Sequence, residues 1–284
     1  ISTLTVNVPA GTSVSAQTPI EGNLNLVVNG PGSQTLAGGV AHTYTGTTLI
    51  NGASVSLACN MSGVTGDVTV TNGGTLHGYS TIGGSVTINT NCIFYPGYSS
   101  NQVVSPYGLN TLADLTLKKG SITIACINPD LSPSNNVITV GGTLTYGGTL
   151  VLKNLNGQLA ANDTFSLFST PGTGSFSSVQ SITPGQTVTW DTTQLNVDGT
   201  VKVLTVTAST PPALTTSVTT DAGGSSLTIA WPAGNTGYTL QVQSNPANVG
   251  LSTNWVDVAG SSSTNMGTVP IDPAAGSTFY RLVQ

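Results

Sequence analysis

The chain has 284 residues, of which only 5% are Asp, Glu, Lys or Arg, whereas an ordinary soluble domain carries about 25%. Ten acidic and five basic residues give a net charge of −5 and a pI near 4.5, so no cationic surface is available for a phosphate backbone, and nucleic acid is excluded as a partner. No apolar run approaches the roughly 20 residues that a membrane-spanning helix needs, and the length predicts two domains.

The start of the chain predicts export. The sequence begins at Ile1, and no basic segment precedes an apolar stretch. This is typical of a mature product from which a signal peptide has been removed. We therefore expect an extracellular or cell-surface protein.

The first strand-like segment is Leu4-Thr-Val6-Asn-Val8, which alternates apolar and polar residues. A second segment, Leu24–Val28, leads into the Asn29-Gly30 turn. Alternation bounded by turn residues predicts strands with tight connections.

A short unit of an apolar residue, Thr, Ser or Val, and a second apolar residue then recurs, introduced each time by glycine or a glycine-containing turn. Alternation of this kind has the period of a strand with one buried face. Recurrence at loosely regular intervals predicts a stacked β architecture, in which each repeat buries its apolar face against its neighbours. The copies are Val55–Leu57, Val68–Val70, Val86–Ile88, Ile122–Ile124, Leu144–Tyr146 and Leu150–Leu152.

Three cysteines, Cys59, Cys92 and Cys126, follow one another at intervals of 33 (92 − 59) and 34 (126 − 92) residues. If one coil of the stack has about that length, the three lie above one another at about 4.8 Å, and one adjacent pair could form a disulfide. The alternative is that all three are small buried hydrophobic residues. A zinc site is not predicted, because the close Cys-x-x-Cys spacing is missing.

Two segments resemble a known family. Tyr44-Thr-Gly-Thr-Thr48 followed by Asn51-Gly52 is similar to the autotransporter-associated β-strand repeat of bacterial exported proteins. Residues 73–97, with Gly-Gly-Thr-Leu, Ile-Gly-Gly and Pro-Gly, resemble the companion pattern of such passengers. The likeness continues through residues 141–206, which resemble the region that closes these repeat arrays. The resemblance thus covers roughly residues 36–207 and implies a right-handed parallel β-helix. Because these motifs specify backbone geometry, they transfer little about function.

A second domain is predicted after the Pro211-Pro212 pair, which marks residues 208–213 as a stiff linker between 1–207 and 214–284. Six strand-like runs follow at short spacing, a pattern typical of an immunoglobulin or fibronectin type III β-sandwich. The predicted fold class is all-β, a right-handed parallel β-helix followed by this sandwich. The aromatic residues available for its core are Trp231, Tyr238, Trp255, Phe279 and Tyr280.

Self-assembly is one hypothesis that follows from this fold. A fibronectin-like sandwich normally has seven strands, so six leave one edge open. The strand with Leu4, Val6 and Val8 could be added to the last strand of the next copy, building a head-to-tail filament. The alternative is that residues 1–10 form the first coil of their own solenoid. The receiving strand contains Phe279, Tyr280 and Leu282.

The residue pattern does not predict an enzyme. Glycoside hydrolysis needs two facing carboxylates, and the acids of the solenoid region are scattered. No Gly-x-Ser-x-Gly elbow occurs, and His42 and His77 are expected to face outward on strands or turns. We predict no catalytic residue, metal site or cofactor. The scattered acids are Glu21, Asp67, Asp114, Asp130 and Asp163.

The function predicted first is that of an extracellular structural protein, a self-assembling fibre subunit that forms a homo-oligomer. The alternative is a surface adhesin that binds a glycan, with an exposed aromatic ring stacked on the sugar. A polysaccharide-degrading β-helix enzyme is a second alternative. The aromatic candidates for the adhesin are Tyr79, Tyr95, Tyr98 and Trp255.

Overall fold

The structure is a computed structural model that describes residues 1–38, 41–97, 109–208, 213–221, 224–233, 238–272 and 275–283. The chain divides into two compact units, residues 1–208 and 209–284, which we call the first and second unit. Regular structure in both units is almost entirely β-strand. Within the described ranges, no helix is long and apolar enough to cross a membrane.

The strands of the first unit run in chain order from β1 to β21. The early strands are β1 (Ser2–Asn7), β2 (Ser13–Ala16), β3 (Leu24–Asn29), β4 (Ser33–Ala37), β5 (Thr48–Asn51), β6 (Ser54–Ala58), β7 (Val68–Thr71), β8 (Thr75–Gly78), β9 (Ser80–Ile82), β10 (Val86–Ile88) and β11 (Ile93–Pro96). The later strands are β12 (Leu109–Thr111), β13 (Leu115–Leu117), β14 (Ile122–Ile127), β15 (Leu144–Tyr146), β16 (Thr149–Asn154), β17 (Thr164–Ser166), β18 (Thr173–Gly174), β19 (Ser178–Ile182), β20 (Gln186–Asp191) and β21 (Thr200–Ala208).

Most of these strands stack as a parallel solenoid. Within the described residues, one sheet has eight strands in the order β1-β3-β5-β7-β10-β13-β15-β18, and a second has eight in the order β2-β4-β6-β8-β11-β14-β16-β19. A short third side consists of the β9-β12 pair and the parallel bridges Met61–Ile82 and Thr111–Val140. The predicted parallel β-solenoid is confirmed. A separate antiparallel sheet of the first unit consists of β17, β21 and β20, in the order β17-β21-β20.

The recurring sequence unit builds an inward ladder. Val68 pairs with Val86, and Val86 pairs with Leu115 in the next coil. All three side chains are buried, and burying such a side chain contributes about 1.5–3 kcal/mol. Thr48 occupies the same position one coil earlier, where its hydroxyl bonds the Tyr44 hydroxyl at 2.5 Å. Stacked side chains of neighbouring coils thus form one continuous core.

The length of a coil changes along the solenoid. Leu26 pairs with Thr48, 22 residues later (48 − 26), Val68 pairs with Val86 after 18 (86 − 68), and Val86 pairs with Leu115 after 29 (115 − 86). The stacking of the cysteines predicted from a coil of 33–34 residues is therefore wrong. Cys126 lies opposite Lys153, whereas Cys92 precedes β11. Cys59, Cys92 and Cys126 are free and buried.

Glycines have two separate roles in this stack. Gly73 has a φ of 78° and open space around it, so it serves a tight turn. Gly66 lies outside the left-handed region, but a Cβ there would come within 3.0 Å of the carbonyl oxygen of Gly46. A Cβ on Gly84 would meet Gly66 in the same way. We call this stack of Gly46, Gly66 and Gly84 the glycine corner. It requires glycine because the backbones of successive coils approach too closely for a side chain.

The outward orientation predicted for His42 is wrong. Residues 42–48 alternate between buried and exposed positions, and His42, Tyr44 and Thr48 all point into the core. The amide of Ile20 donates to His42 Nδ1 at 2.9 Å, so the neutral ring carries its proton on Nε2. Burial lowers the pKa of His42. His77, on β8, is half-buried on the outward side of its strand.

The second unit consists of β22 (Thr215–Asp221), β23 (Gly224–Ala230), β24 (Thr239–Asn245), β25 (Val256–Asp257), β26 (Met266–Ile271) and β27 (Ser277–Val283). Among the described residues, they form two antiparallel sheets, β22-β23-β26 and β25-β24-β27. A small core of Ile229, Trp231 and Leu240 joins the sheets, and Tyr280 and Leu282 pack against it.

A substitution at the glycine corner tests the close approach of the coils. We expect Gly66→Ala to lower the free energy of unfolding by about 1–3 kcal/mol, because the new methyl group overpacks the backbone of the neighbouring coil. Gly250→Ala is the control, since Gly250 has no atom within 4 Å of the added Cβ. Urea unfolding measures both variants. Equal stability of the two would contradict a close-packed corner.

The buried His42 predicts acid sensitivity. Because its pKa in the folded state is below the ordinary 6.5, its neutral form stabilises the fold above that pH, and this stability is lost as the pH falls toward the lower folded value. Protonation also places a proton on Nδ1 and removes the bond from Ile20. We expect His42→Gln to be less stable than the parent at about pH 8. Between about pH 8 and about pH 5, the variant should lose less stability than the parent does. An unchanged pH dependence in urea unfolding would contradict this role.

Candidate functional site

The third side of the solenoid carries a ladder of outward polar side chains. Met61, Ile82, Thr111 and Val140 are linked by parallel pairing and are buried. Because side chains alternate across a strand, the residues just before them face outward. These outward residues are Asn60, Thr81, Asn110 and Thr139.

Two exposed apolar side chains flank this ladder. Tyr79 is 47% exposed, and Leu112 is 58% exposed. Tyr79 lies two residues before Thr81, and Leu112 lies two residues after Asn110. The two side chains are therefore on opposite sides of the ladder. Together they enclose a hollow of about 470 Å³, within the range of small-molecule sites. We call it the Tyr79 groove; its lining consists of Cys59, Asn60, Ser62, Tyr79, Ser80, Thr81, Asn110 and Leu112.

Two asparagine amides in the Tyr79 groove are held in position. Asn60 Oδ1 accepts the amide N–H of Ser62 at 2.8 Å, and Asn110 Oδ1 accepts that of Thr139 at 2.8 Å. In the part of the chain that the structure describes, the Nδ2 amino group of each side chain makes no hydrogen bond. The groove therefore offers oriented N–H donors to a ligand.

The Tyr79 groove is uncharged at neutral pH. Among the described residues, its lining includes no Asp, Glu, Lys, Arg or His. Burial raises the pKa of the Cys59 thiol to about 11, so the thiolate is scarce, and the sulfur is a poor nucleophile. A ligand in this groove would be held by hydrogen bonds and apolar contact.

The other aromatic candidates lie elsewhere. Tyr95 lines a smaller hollow with Ser33, Ser54, Thr75 and His77, and its hydroxyl is 3.4 Å from Lys153 Nζ. In the second unit, the guanidinium of Arg281 lies over the Trp255 ring at 4.3 Å. Tyr98 falls outside the described residues. Tyr79 is thus the candidate with an exposed ring in a groove.

One serine–histidine pair resembles part of a catalytic arrangement. The hydroxyl of Ser54 lies 3.1 Å from His77 Nε2. A catalytic triad adds an acid that orients the imidazole, and no acid is among the described residues that line this hollow. In the ranges that the structure describes, no three His, Cys, Asp or Glu side chains are grouped closely enough to hold a metal ion.

The residues of the assembly hypothesis occupy separate units. β1 pairs in parallel with β3, and Val8 is buried while Val6 packs against the core. This strand is thus part of its own solenoid, the alternative that the sequence left open. On β27, Tyr280 and Leu282 contact the core of the second unit, whereas Phe279 is half-buried.

Sequence reasoning named Tyr79 as an aromatic candidate and did not name Asn60, Asn110 or Leu112 as site residues. Asn60 and Thr81 are 21 residues apart (81 − 60), whereas Thr81 and Asn110 are 29 apart (110 − 81). No fixed period brings these residues together. The available signal was the polar residue that precedes each buried residue of the third side.

Comparison with known proteins yields one informative match. No family model matches this chain, and no solved structure matches it. The chain is 35% identical over 164 residues to the adhesin BmaC autotransporter of Brucella suis biovar 1 (strain 1330). The match covers 58% of this chain but only 5% of the length of that protein. It supports the resemblance to autotransporter-associated β-rich proteins.

Proposed function

We propose that this chain is a segment of an exported bacterial surface adhesin, whose solenoid presents uncharged outer faces to a ligand. The observation that carries the proposal is the Tyr79 groove, an open hollow with an exposed ring and fixed amide donors on a rigid parallel stack. The similarity to a protein named as an adhesin autotransporter supports it. The role is one of binding, without catalysis.

In this proposal, the second unit is a supporting module. Its two antiparallel sheets, β22-β23-β26 and β25-β24-β27, with a shared core, support an immunoglobulin or fibronectin type III character. We assign it that character, and we assign the protein an extracellular or cell-surface location, reached through a signal peptide that is removed.

Display of the full chain on a non-adherent bacterium tests the adhesin role. Bacteria that carry the chain on an unrelated anchor should be retained on host-cell monolayers several-fold more than bacteria with the anchor alone. Retention should persist when salt is added, because screening weakens ion pairs and leaves neutral contacts unaffected. Retention equal to that of the anchor control would contradict the proposal.

Self-assembly is a second candidate function, favoured by a cleft in the second unit. Within the described residues, β27 pairs only with β24. Beside it, the two sheets leave a cleft of about 770 Å³, lined by residues that include Val218, Leu227 and Tyr280. An added strand from a second copy would satisfy the β27 edge and bury these side chains. Because β1 is paired within its own solenoid, the donor strand comes from elsewhere, or the first coil opens.

A charge at the mouth of the cleft tests this second function. Val218 is 61% exposed, so Val218→Lys should leave the fold intact but prevent burial of this position by an added strand, since a buried unpaired charge is costly. Val256→Lys is the control, at a site that is 63% exposed and outside the cleft lining. Electron microscopy should show fibres for the parent and the control and dispersed particles for Val218→Lys. Fibres from all three proteins would exclude the cleft as the contact.

A further inference from the structure

We infer that the Tyr79 groove is a binding site for an uncharged oligosaccharide, held by stacking on the Tyr79 ring and by the amides of Asn60 and Asn110. The inference rests on the proposed adhesin function and gives it a site and a ligand class. It depends on the charge of the groove, on the spacing of its polar groups and on the backbone hydrogen bonds between the coils that form its floor.

The charge of the groove selects the ligand class. Sialylated, sulfated and phosphorylated ligands are recognised through cationic side chains, and the described residues that line the groove include none. Amide and hydroxyl groups beside an aromatic face match a neutral sugar, whose hydroxyls form hydrogen bonds and whose C–H faces are apolar. Tyr79 supplies the ring, and Leu112, on the opposite side, supplies a second apolar surface.

The spacing of the polar groups suits a chain of sugar units. Asn60, Thr81 and Asn110 belong to successive coils, which are separated by about 4.8 Å. Their side chains therefore repeat along the stack on the scale of a single sugar ring. An oligosaccharide lying along the ladder would meet a new polar side chain at each coil.

The pairing of the floor argues against an extended peptide as the ligand. A peptide commonly binds by adding a strand to a free sheet edge. Here the backbone is already bonded between coils, since Met61 N–H donates to the Thr81 carbonyl and Leu112 N–H donates to the Ile82 carbonyl. At these positions the groove presents side chains to a ligand. The sugar is thus favoured by the same stacking that forms the solenoid.

The test uses the purified full chain on an array of neutral gluco-, manno- and chito-oligosaccharides, with sialylated oligosaccharides as charged counter-probes. We expect binding to members of the neutral set, with an affinity that does not change when salt is added. Calorimetry then measures variants against the strongest probe. Tyr79→Ala should weaken binding by about tenfold or more, which corresponds to about 1.4 kcal/mol, while Tyr79→Phe, which keeps the ring, should bind as the parent does.

Leucine variants provide the matched control. Leu112→Ala should also weaken binding. Leu204→Ala removes a similarly exposed leucine, 52% exposed on β21 and outside the groove lining, and should leave binding unchanged. Because Tyr79, Leu112 and Leu204 are all exposed, thermal melting should be alike for the three alanine variants and the parent.

The outcomes separate this inference from the adhesin proposal. Binding of no neutral probe, or equal affinity of Tyr79→Ala and the parent, would overturn the glycan site, even if displayed chains still adhere to cells. Adhesion that depends on Tyr79 but resists removal of surface glycans would point to a protein ligand and would overturn the ligand class. If bacteria that display the parent chain do not adhere to cells at all, the adhesin function itself is contradicted.

Discussion

The first unit depends on one constraint, the close parallel stacking of backbones from coil to coil. Each strand donates to and accepts from the strand one coil away, and the corner at Gly46, Gly66 and Gly84 brings successive chains too close for a Cβ. Because the register is kept, inward residues such as Val68 and Val86 lie above one another and fill the core. The same register places polar side chains above one another on the outer faces, so the core and the candidate site have a common origin.

The low charge of the chain sets the kind of contact its surface can make. With 5% charged residues, the solenoid exposes hydroxyls, amides and a few apolar side chains. The Tyr79 groove concentrates these features, with amide donors held at Asn60 and Asn110. Repeated neutral donors on a preorganised stack favour binding through many modest hydrogen bonds and one aromatic contact. That combination is the physical basis of the adhesin proposal.

The fold was predictable because its signal is local. Alternation in Val68–Val70 and Val86–Ile88, with glycine between them, identifies the inward strands, and each of the six strand-like runs after residue 213 overlaps one strand of β22–β27. Coil length was not predictable, because turns between strands differ in length without changing the pattern of the strands. That is why the cysteines were wrongly stacked and why the partners of Tyr79 were missed. The inward turn of His42 was missed because residues 42–48 alternate without forming a regular strand.

Native-state hydrogen exchange tests the central claim, that bonding between coils holds the first unit together as one stack. If the claim is correct, amides of β7, β10 and β13, which pair with strands of neighbouring coils, exchange slowly and with a common free energy close to that of global unfolding. Independent exchange of each strand, at rates similar to those of exposed loops, would contradict the account.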